Sequence, residues 1–525
     1  MKSIFSFLAA TFCALSPLFA QAPVIQWQNT IGGDDYDDVN SLQQTADGGY
    51  ILGGYSYSNI SGDKTENSLG FNDYWVLKLN ASGAIQWQNT IGGTEHDLLS
   101  SLQQTADGGY ILGGSSKSNI SDDKTENCYG DYDYWVVKFD ATGSILWQNT
   151  IGGSSFDGLI TLQQTFDGGY ILGGSSWSSI SGDKTENGLG GTDYWAVKLD
   201  AAGAIQWQNT LGGSDHDELS DLQQTADGGY ILGGWSLSNI SGDKSENSWG
   251  IYDYWVVKMD AAGAIQWQNT IGGNGGDLLR SLQQTADGGY ILGGSSKSNI
   301  SGDKTENSVG EEDYWLVKLD ATGIIQWQNT IGGSGEDGLI DLQQTLDGGY
   351  ILGGYSDSNI SGDKTEDGIG GGDYWVMNVD TAGAILWQNT IGGDGIDVLS
   401  SLQQTSDGGY FLGGRSKSNI LGDKTENSLG YEDYWIIKLS PETVPTGEAP
   451  TAPAGVTIYP NPTADVLFVR SEAAITLCLR NAFGQILSTQ TIQGEAKIDL
   501  SYYPNGIYFL IEMETGIGHK ILKVK

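Results

Sequence analysis

Short apolar runs recur along most of the chain and are separated by glycine-rich turns and polar loops. In residues 99–151, two such runs are Leu99–Thr105 and Tyr110–Ser116, and a long polar loop follows them. Tyr134–Asp140 then alternates apolar and polar side chains, and Ile145–Ile151 does so again after a tight turn. This period of two is typical of β-strands, and no helical period is present. The pattern predicts a unit of four short antiparallel strands.

The unit recurs with a constant step. The sequence Trp-Gln-Asn-Thr returns every 60 residues, with its tryptophan at Trp27, Trp87, Trp147, Trp207, Trp267, Trp327 and Trp387. A fourth-type strand, Val24–Ile31, precedes the first full unit, and the last unit ends on a third-type strand, Tyr434–Leu439. We therefore predict an all-β fold: a seven-bladed β-propeller of four-stranded blades over residues 21–440, in which the N-terminal strand closes the last blade. An open β-solenoid is the alternative, but its unpaired end strands would need caps.

The two ends of the chain depart from the repeat. Residues 1–20 are predicted to be a signal peptide, with Lys2 before the apolar stretch Ile4–Leu15 and a cleavage site after Ala20. Residues 441–455 are rich in Pro, Thr, Glu, Ala and Gly and are predicted to be a linker. No later segment has the 18 or so apolar residues of a transmembrane helix, so an exported protein without a transmembrane segment is expected.

Charge narrows the possible partners. The chain has 65 acidic and 25 basic side chains, a net charge of −40. Nucleic acid and anionic membrane surfaces would repel such a chain, so neither is an expected partner. Three cysteines, one of them in the predicted signal peptide, provide neither a disulfide framework nor a cysteine-based metal site.

The repeat unit resembles a Kelch-type blade. Its second strand ends in the pair Gly113-Gly114, its third strand is aromatic at Trp135, and Trp147 follows in the fourth, although the aromatic-to-Trp spacing is one residue longer than usual. The turn Thr105–Gly109 is similar to a degenerate Asp-box without its terminal aromatic. Both resemblances imply a propeller, and neither implies an activity.

Residues 456–525 resemble the type A C-terminal sorting domain of type IX secretion cargo in Bacteroidetes-type bacteria. The matching residues are Tyr459, Pro460, Asn461, Pro462 and Thr463, the segment 481–485 with Gly484, the segment 504–508 with Gly506 and Tyr508, and the basic end 520–525. The resemblance implies an Ig-like β-sandwich, the type IX secretion machinery as a partner, and a secreted or outer cell-surface location. An ordinary β-sandwich accessory domain is the alternative.

Catalytic signatures are sparse in the repeats. Arg280 and Arg415 are too few for the arginine cluster of a sialidase-like site, and His96 and His216 occupy equivalent loop positions two units apart. Neither a Ser-His-Asp arrangement nor a phosphate-binding loop is present. The sequence therefore favours a non-catalytic binding module for glycan or protein, and the alternative is a secreted hydrolase using loop carboxylates.

Repeated acids raise the question of calcium. Asp63, Glu66 and Asp73 are predicted to lie on one polar loop and recur in every unit. Hard oxygen ligands of this kind suit calcium, although the spacing matches no EF-hand. The alternative is that these acids cap turns and pair with Lys64. No other cofactor is predicted.

Variation between the units points to one face. The varying positions lie in the loop between the fourth and first strands and at both ends of the long loop, connections that share one end of an up-and-down blade. Exposed aromatics can anchor glycans or proteins. The predicted ligand-binding residues are Tyr55, Tyr57, Tyr129, Tyr132, Trp177, Trp235, Trp249 and Tyr252. The alternative is that these rings vary by chance or pack locally.

Overall fold

The computed structural model describes residues 22–442, 457–459, 466–481, 486–501, 506–512 and 518–523. The predicted signal peptide lies outside the described residues, as does the predicted linker apart from residues 441 and 442. Of the sorting motif, Pro460, Asn461, Pro462 and Gly484 also lie outside them.

The repeat region contains 28 strands. In chain order they are β1 (Ile25–Ile31), β2 (Asp37–Gln44), β3 (Tyr50–Ser56), β4 (Asp73–Leu79), β5 (Ile85–Ile91), β6 (Asp97–Gln104), β7 (Tyr110–Ser116), β8 (Asp133–Phe139), β9 (Ile145–Ile151), β10 (Asp157–Gln164), β11 (Tyr170–Ser176), β12 (Asp193–Leu199), β13 (Ile205–Leu211), β14 (Asp217–Gln224), β15 (Tyr230–Ser236), β16 (Asp253–Met259), β17 (Ile265–Ile271), β18 (Asp277–Gln284), β19 (Tyr290–Ser296), β20 (Asp313–Leu319), β21 (Ile325–Ile331), β22 (Asp337–Gln344), β23 (Tyr350–Ser356), β24 (Asp373–Val379), β25 (Ile385–Ile391), β26 (Asp397–Gln404), β27 (Tyr410–Ser416) and β28 (Asp433–Leu439).

These strands form seven antiparallel sheets of four strands each. Sheets 1 to 6 consist of consecutive strands: β2–β5, β6–β9, β10–β13, β14–β17, β18–β21 and β22–β25. Sheet 7 consists of β26, β27 and β28 with β1 added beside β28, where Thr30 lies opposite Trp435. The first strand of the chain therefore provides the fourth strand of the last sheet.

Each sheet packs on the next through the two sides of its third strand. Successive side chains of a strand point to opposite faces, so Tyr74 enters the core between sheets 1 and 2 while Trp75 enters the core between sheets 7 and 1. The Tyr74 hydroxyl donates to the Trp135 carbonyl at 3.0 Å, and the Tyr434 hydroxyl donates to the Trp75 carbonyl at 3.2 Å. Sheet 7 therefore contacts sheet 1 in the same way that sheet 1 contacts sheet 2.

Glutamines join the innermost strands of neighbouring sheets. The Gln43 side-chain oxygen accepts the backbone N–H of Gln104 at 2.6 Å, and the Gln403 oxygen accepts that of Gln44 at the same distance. A hydrogen bond satisfies a backbone group that this strand edge would otherwise leave unpaired. The same contact occurs at all seven sheet junctions.

Several predicted strand boundaries need correction by one or two residues, and two of them concern a buried aspartate. The first strand of the unit in residues 99–151 begins at Asp97 rather than Leu99, and Asp73 is the first residue of β4 rather than part of the polar loop. Both aspartates are fully buried. Their carboxylates accept backbone N–H groups of the preceding turn, as Asp97 does from Gly93 at 2.7 Å, so a polar residue can begin a buried strand.

The tail has its own sheet. Its strands are β29 (Thr457–Tyr459), β30 (Val466–Asn481), β31 (Ile486–Asp499), β32 (Gly506–Glu512) and β33 (Gly518–Lys523). The described strands form one antiparallel sheet in the order β29-β30-β32-β33, with β31 also beside β30. Leu477, Leu479 and Tyr508 belong to its buried core. An Ig-like sandwich stays a prediction.

Candidate functional site

The repeat region has two chemically different ends. At one end, here called the loop face, the segment after the fourth strand meets the long loop: the Asp34 N–H donates to Ser61 Oγ at 2.9 Å and the Asp35 N–H donates to Ser58 Oγ at 3.0 Å. At the other end, the turn face, lie the short turns that begin at Thr45 and at Asn80. The two connections that vary between repeats therefore share the loop face.

Five rings form an arc on the loop face where sheets 7, 1 and 2 meet. Tyr431 stacks on Tyr36 with ring centroids 5.1 Å apart, and Phe71 stacks on His96 at 4.8 Å. Tyr57 lies between the two stacks, 6.2 Å from Tyr36 and 6.5 Å from His96. We call this set the five-ring arc.

A second aromatic group spans sheets 2 to 4. Tyr132 contacts Phe156, and Trp177 contacts both Phe156 and His216, with centroids 5.8 to 6.3 Å apart. The Trp177 side chain is 57% exposed, and its Nε1–H donates to Thr192 Oγ1 at 2.5 Å. Trp177 is therefore held in place while most of its ring faces solvent.

Three other predicted residues are more enclosed. Trp235 and Tyr252 contact each other at 5.6 Å, and both are only partly exposed. The Tyr55 hydroxyl donates to Asp38 Oδ2 at 2.9 Å. Burial, followed by the neighbouring Asp38 carboxylate, raises the pKa of Tyr55. The Tyr55 ring lies 6.4 Å from the Tyr57 ring. Tyr55 therefore supports Tyr57 rather than presenting a free surface of its own.

Tyr129 and Trp249 belong to a different position, although both are more than half exposed. Each ring lies against a glycine in the long loop of the next sheet, Tyr129 against Gly182 and Trp249 against Gly302. The equivalent residue is apolar in every repeat; the others are Leu69, Leu189, Val309, Ile369 and Leu429. An aliphatic side chain serves the same contact, so the aromatic character of this position is not required for packing.

Six aromatic or histidine residues of the loop face are missing from the predicted set. They are Tyr36, Phe71, His96, Phe156, His216 and Tyr431. In the sequence, these residues lie at two kinds of variable position. One is directly before the buried aspartate that begins each sheet, and the other is near the end of the long loop. The ring contacts that connect them run between sheets, and repeat-internal patterns do not contain that information.

The three acids of the calcium prediction have separate backbone partners. Asp63 Oδ2 accepts the Gly32 N–H at 3.4 Å, Glu66 Oε2 accepts the Thr90 N–H at 2.6 Å, and Asp73 Oδ2 accepts the Leu69 N–H at 2.7 Å. Among the described residues, no group of three His, Cys, Asp or Glu side chains is arranged to hold a metal ion. Each acid therefore acts as a loop cap in this structure.

Buried charge surrounds each sheet junction. Burial raises the pKa of Asp73 to about 6, even though the Leu69 and Gly70 N–H groups lower it. Burial lowers the pKa of Lys64 to about 8, against the opposing effect of Asp37 and Asp73. The Lys64 ammonium lies 5.2 Å from the Trp75 ring centroid and donates to Thr90 Oγ1. Protonation of these carboxyls is therefore coupled to the stability of the fold.

The first strands of the seven sheets line a cavity of about 270 Å³. Asp221 and Asp341 line it at a position where the other repeats have serine or threonine. Burial raises the pKa of Asp221 to about 7 and that of Asp341 to about 6. Asp221 accepts the Leu282 N–H and Asp341 accepts the Leu402 N–H, both at 2.9 Å. Both acids thus bond to the next sheet along the chain.

The tail provides the match to a known family. Residues 457–524 match the secretion system C-terminal sorting domain. This match supports a type IX secretion cargo and an exported, secreted or cell-surface protein. No helix within the described residues has the length and apolarity needed to cross a membrane.

Matches to the repeat region are weaker. Over 398 residues the chain is 24% identical to regulatory protein FlaEY of Caulobacter vibrioides, covering 69% of this chain and 40% of that protein's length. Similar solved structures include hydrazine synthase of Kuenenia stuttgartiensis (TM-score 0.43, 9% identity, 72% of this chain and 93% of that one) and the Pan2 WD40 domain of Neurospora crassa (0.41, 10%, 78% and 90%). At these scores the strand pairing, rather than the similarity, supports the fold description.

Proposed function

We propose that the repeat region is a closed seven-bladed propeller that acts as a non-catalytic binding module for glycan or protein and is exported through its sorting tail. The observation that carries this proposal is the gathering of solvent-exposed rings on the loop face, at positions that vary between otherwise near-identical repeats. Exposed rings are costly on a soluble acidic protein, so a cluster of them favours a binding role.

Closure of the ring is supported by the contacts of sheet 7. The hydrogen bond from the Gln44 N–H to Gln403 and the bond from the Tyr434 hydroxyl to Trp75 join the last sheet to the first. A closed ring also leaves only short, protected strand edges, which favours a stable monomer.

A secreted hydrolase is the second candidate, because Asp221 and Asp341 are carboxyls of raised pKa on one cavity. Their oxygens already accept backbone N–H groups, which favours a structural role instead. Serine occupies this position in four other repeats. If an Asp221→Ser/Asp341→Ser variant loses an activity that the wild-type protein shows on polysaccharides or peptides, the hydrolase becomes the better reading.

The binding face is tested with residues that other repeats already use at the same positions. The double variant Trp177→Leu/Trp235→Ser copies Leu237 and Ser115, and the control Phe166→Ala, in a short turn of the turn face, copies Ala106. We expect at least a tenfold loss of binding in the double variant and no change in the control, measured on glycan arrays and by cross-linking to cell-surface proteins. Equal binding by all three proteins would remove Trp177 and Trp235 from the site.

Export is tested separately. We expect a protein ending at residue 442 to fold, because the seven sheets use no strand of the tail, but to remain inside a host that has the type IX machinery. Detection of the truncated protein at the cell surface would contradict the role proposed for the tail.

Calcium binding by Asp63, Glu66 and Asp73 stays a prediction. A calcium-dependent loop would lose stability when the ion is removed. Removal of calcium with EGTA that leaves the melting temperature unchanged would eliminate it.

A further inference from the structure

The five-ring arc is built from one contact that occurs twice. The residue near the end of the long loop in one sheet stacks on the residue before the buried aspartate of the next: Tyr431 on Tyr36, and Phe71 on His96. Backbone bonds fix both stacks, because the Tyr431 N–H donates to the Asp35 carbonyl and the Phe71 N–H to the Glu95 carbonyl. At the other five junctions the pair contains at most one ring; these pairs are Asp131 and Phe156, Gly191 and His216, Ile251 and Gly276, Glu311 and Glu336, and Gly371 and Ile396.

The arc leaves broad ring surfaces open to solvent. Tyr431 is 65% exposed and Phe71 is 56% exposed, although a partner ring covers one face of each. The interplanar angles of 13° and 15° show that both pairs are nearly parallel. Tyr57 links the pairs, so three neighbouring sheets present one continuous aromatic surface. Because the rings are already held, binding to them loses little side-chain entropy.

Two observations limit the chemistry of the ligand. Tyr431 and Phe71 are both more than half exposed and each is nearly parallel to its partner ring, so the arc presents flat ring faces suited to stacking. Anchor residues of protein partners usually fill pockets. The chain also has a net charge of −40, and Asp35 and Glu95 flank the arc, which disfavours a polyanion.

We propose that the five-ring arc binds an uncharged polysaccharide. The C–H faces of its pyranose rings would stack on Tyr431, Tyr57 and Phe71, while its hydroxyls donate to carboxylates such as Glu95. A polymer suits the site because several weak stacking contacts along one chain add to a useful affinity. The proposal rests on the binding role of the loop face and adds the class of ligand and its place.

The decisive variant replaces aromatic by aliphatic side chains that other repeats hold at the same positions. Tyr431→Ile copies Ile251, Tyr36→Ile copies Ile396, and Tyr57→Leu copies Leu237. Apolar bulk is largely retained, so hydrophobic contact with a protein partner would largely survive, whereas stacking with sugar rings would not. The control is Phe166→Ala, which copies Ala106 and removes an equally exposed ring from the turn face, outside the arc.

Binding is measured by native affinity electrophoresis of the full chain in gels containing hydroxyethylcellulose, galactomannan, laminarin or dextran, with alginate as the anionic comparison. We expect retardation by at least one neutral polymer, a dissociation constant at least tenfold weaker for the triple variant, and no change for Phe166→Ala. Circular dichroism and melting curves check that both variants fold.

The other outcomes separate the two proposals. Retardation of wild type and triple variant alike would overturn the arc while leaving the binding module in place. Retardation by alginate alone, or by no polymer, would overturn the uncharged polysaccharide. In the latter case, cross-linking to surface proteins that is lost in Trp177→Leu/Trp235→Ser would preserve the loop face as a protein-binding site, and its absence would remove both proposals.

Discussion

The turn face and the loop face differ in how the same repeat uses its polar side chains. On the turn face, six sheets contain one ion pair of nearly constant geometry, as between Lys78 and Asp47 at 3.0 Å. On the loop face, positions that correspond between repeats hold different residues, among them tyrosine, histidine, phenylalanine, lysine and glutamate. Positions that every sheet needs for folding are therefore uniform, and residues that differ are the ones available for a ligand.

Sheet 6 is an exception that shows how the turn face tolerates change. Asn378 occupies the position of the lysine, and its Nδ2 donates to the Tyr410 hydroxyl at 3.2 Å and to Glu442 Oε1 at 2.5 Å. The buried position thus keeps polar partners although the ion pair is absent. A donor to neighbouring polar groups, rather than a positive charge, is what this position retains, while the buried Asn378 Oδ1 has no hydrogen-bond partner.

The largest effect is expected from removing the strand that both faces depend on. Deletion of residues 21–31 exposes the edge of β28 and removes the buried contacts of Ile31 and Trp27. Loss of these contacts costs about 3–6 kcal/mol, at roughly 1.5–3 kcal/mol for each large apolar side chain, and leaves an open edge that promotes aggregation. Solubility and thermal melting measure the result, and a soluble, equally stable deletion would contradict ring closure by β1.

A pH titration distinguishes the buried carboxyls near the loop face from those of the turns. Burial raises the pKa of Asp73 and Asp133 to about 6 from an ordinary 3.8, so their protonation favours the folded state. On the turn face, hydrogen bonds outweigh partial burial and lower the pKa of Asp107 and Asp167 to about 2. The melting temperature should therefore rise by several degrees from pH 7 to about 5 and fall below pH 4. A maximum at pH 8 would contradict this assignment.

A smaller effect is expected from copying the exception of sheet 6 into a regular sheet. Lys198→Asn removes the ammonium that lies 3.0 Å from Asp167. Because Asp167 is more than half exposed, the loss should be only about 1 kcal/mol. Urea unfolding measures it, and a double-mutant cycle with Asp167→Asn isolates the pair. A coupling energy near zero would mean that the lysine acts through its other hydrogen bonds.

The smallest change concerns one strained residue in a loop of sheet 2. Asp122 has a φ of 48°, whereas the equivalent residue in the other six repeats is glycine at 53° to 60°. A side chain in this left-handed region costs about 1 kcal/mol relative to glycine. Asp122→Gly should stabilise the protein by about 0.5–1 kcal/mol, and the matched change Gly242→Asp should destabilise it similarly. Opposite signs in urea unfolding support the strain, and equal signs contradict it.

Much of the fold followed from the repeat alone. An apolar run predicted β7 and an alternating run predicted β9, both at their observed bounds, and the chain ends predicted the partner of β1. Prediction was poorer for acids: Asp73 looked like a loop residue but is fully buried at the start of β4. Polar residues inside a strand are recognisable only when their hydrogen-bond partners are known, and those of Asp73 lie in the preceding loop.

The ring contacts of the candidate site could not be predicted from the sequence. Variation between repeats placed Tyr57, Trp177 and Trp249 in one predicted set, but in the structure Tyr57 and Trp177 contact other rings, whereas the Trp249 ring packs on Gly302 of the next sheet. Sequence alone could not separate these residues, because all three are variable aromatics at loop ends. Whether such a ring contacts another ring or packs on a glycine depends on contacts between sheets.

The sequence by itself determined the strand period, the seven-fold repetition, the direction of each connection and the tail's sorting motif, because these depend on local alternation and on spacing along the chain. The tertiary structure decided which rings meet: Tyr57 reaches His96 and Tyr431 reaches Tyr36 only because neighbouring sheets pack with one fixed offset. It also decided which carboxylates are buried. Contacts across sheet junctions arise from packing in three dimensions, and a repeat that is uniform along the chain does not encode which of its few exceptions become neighbours.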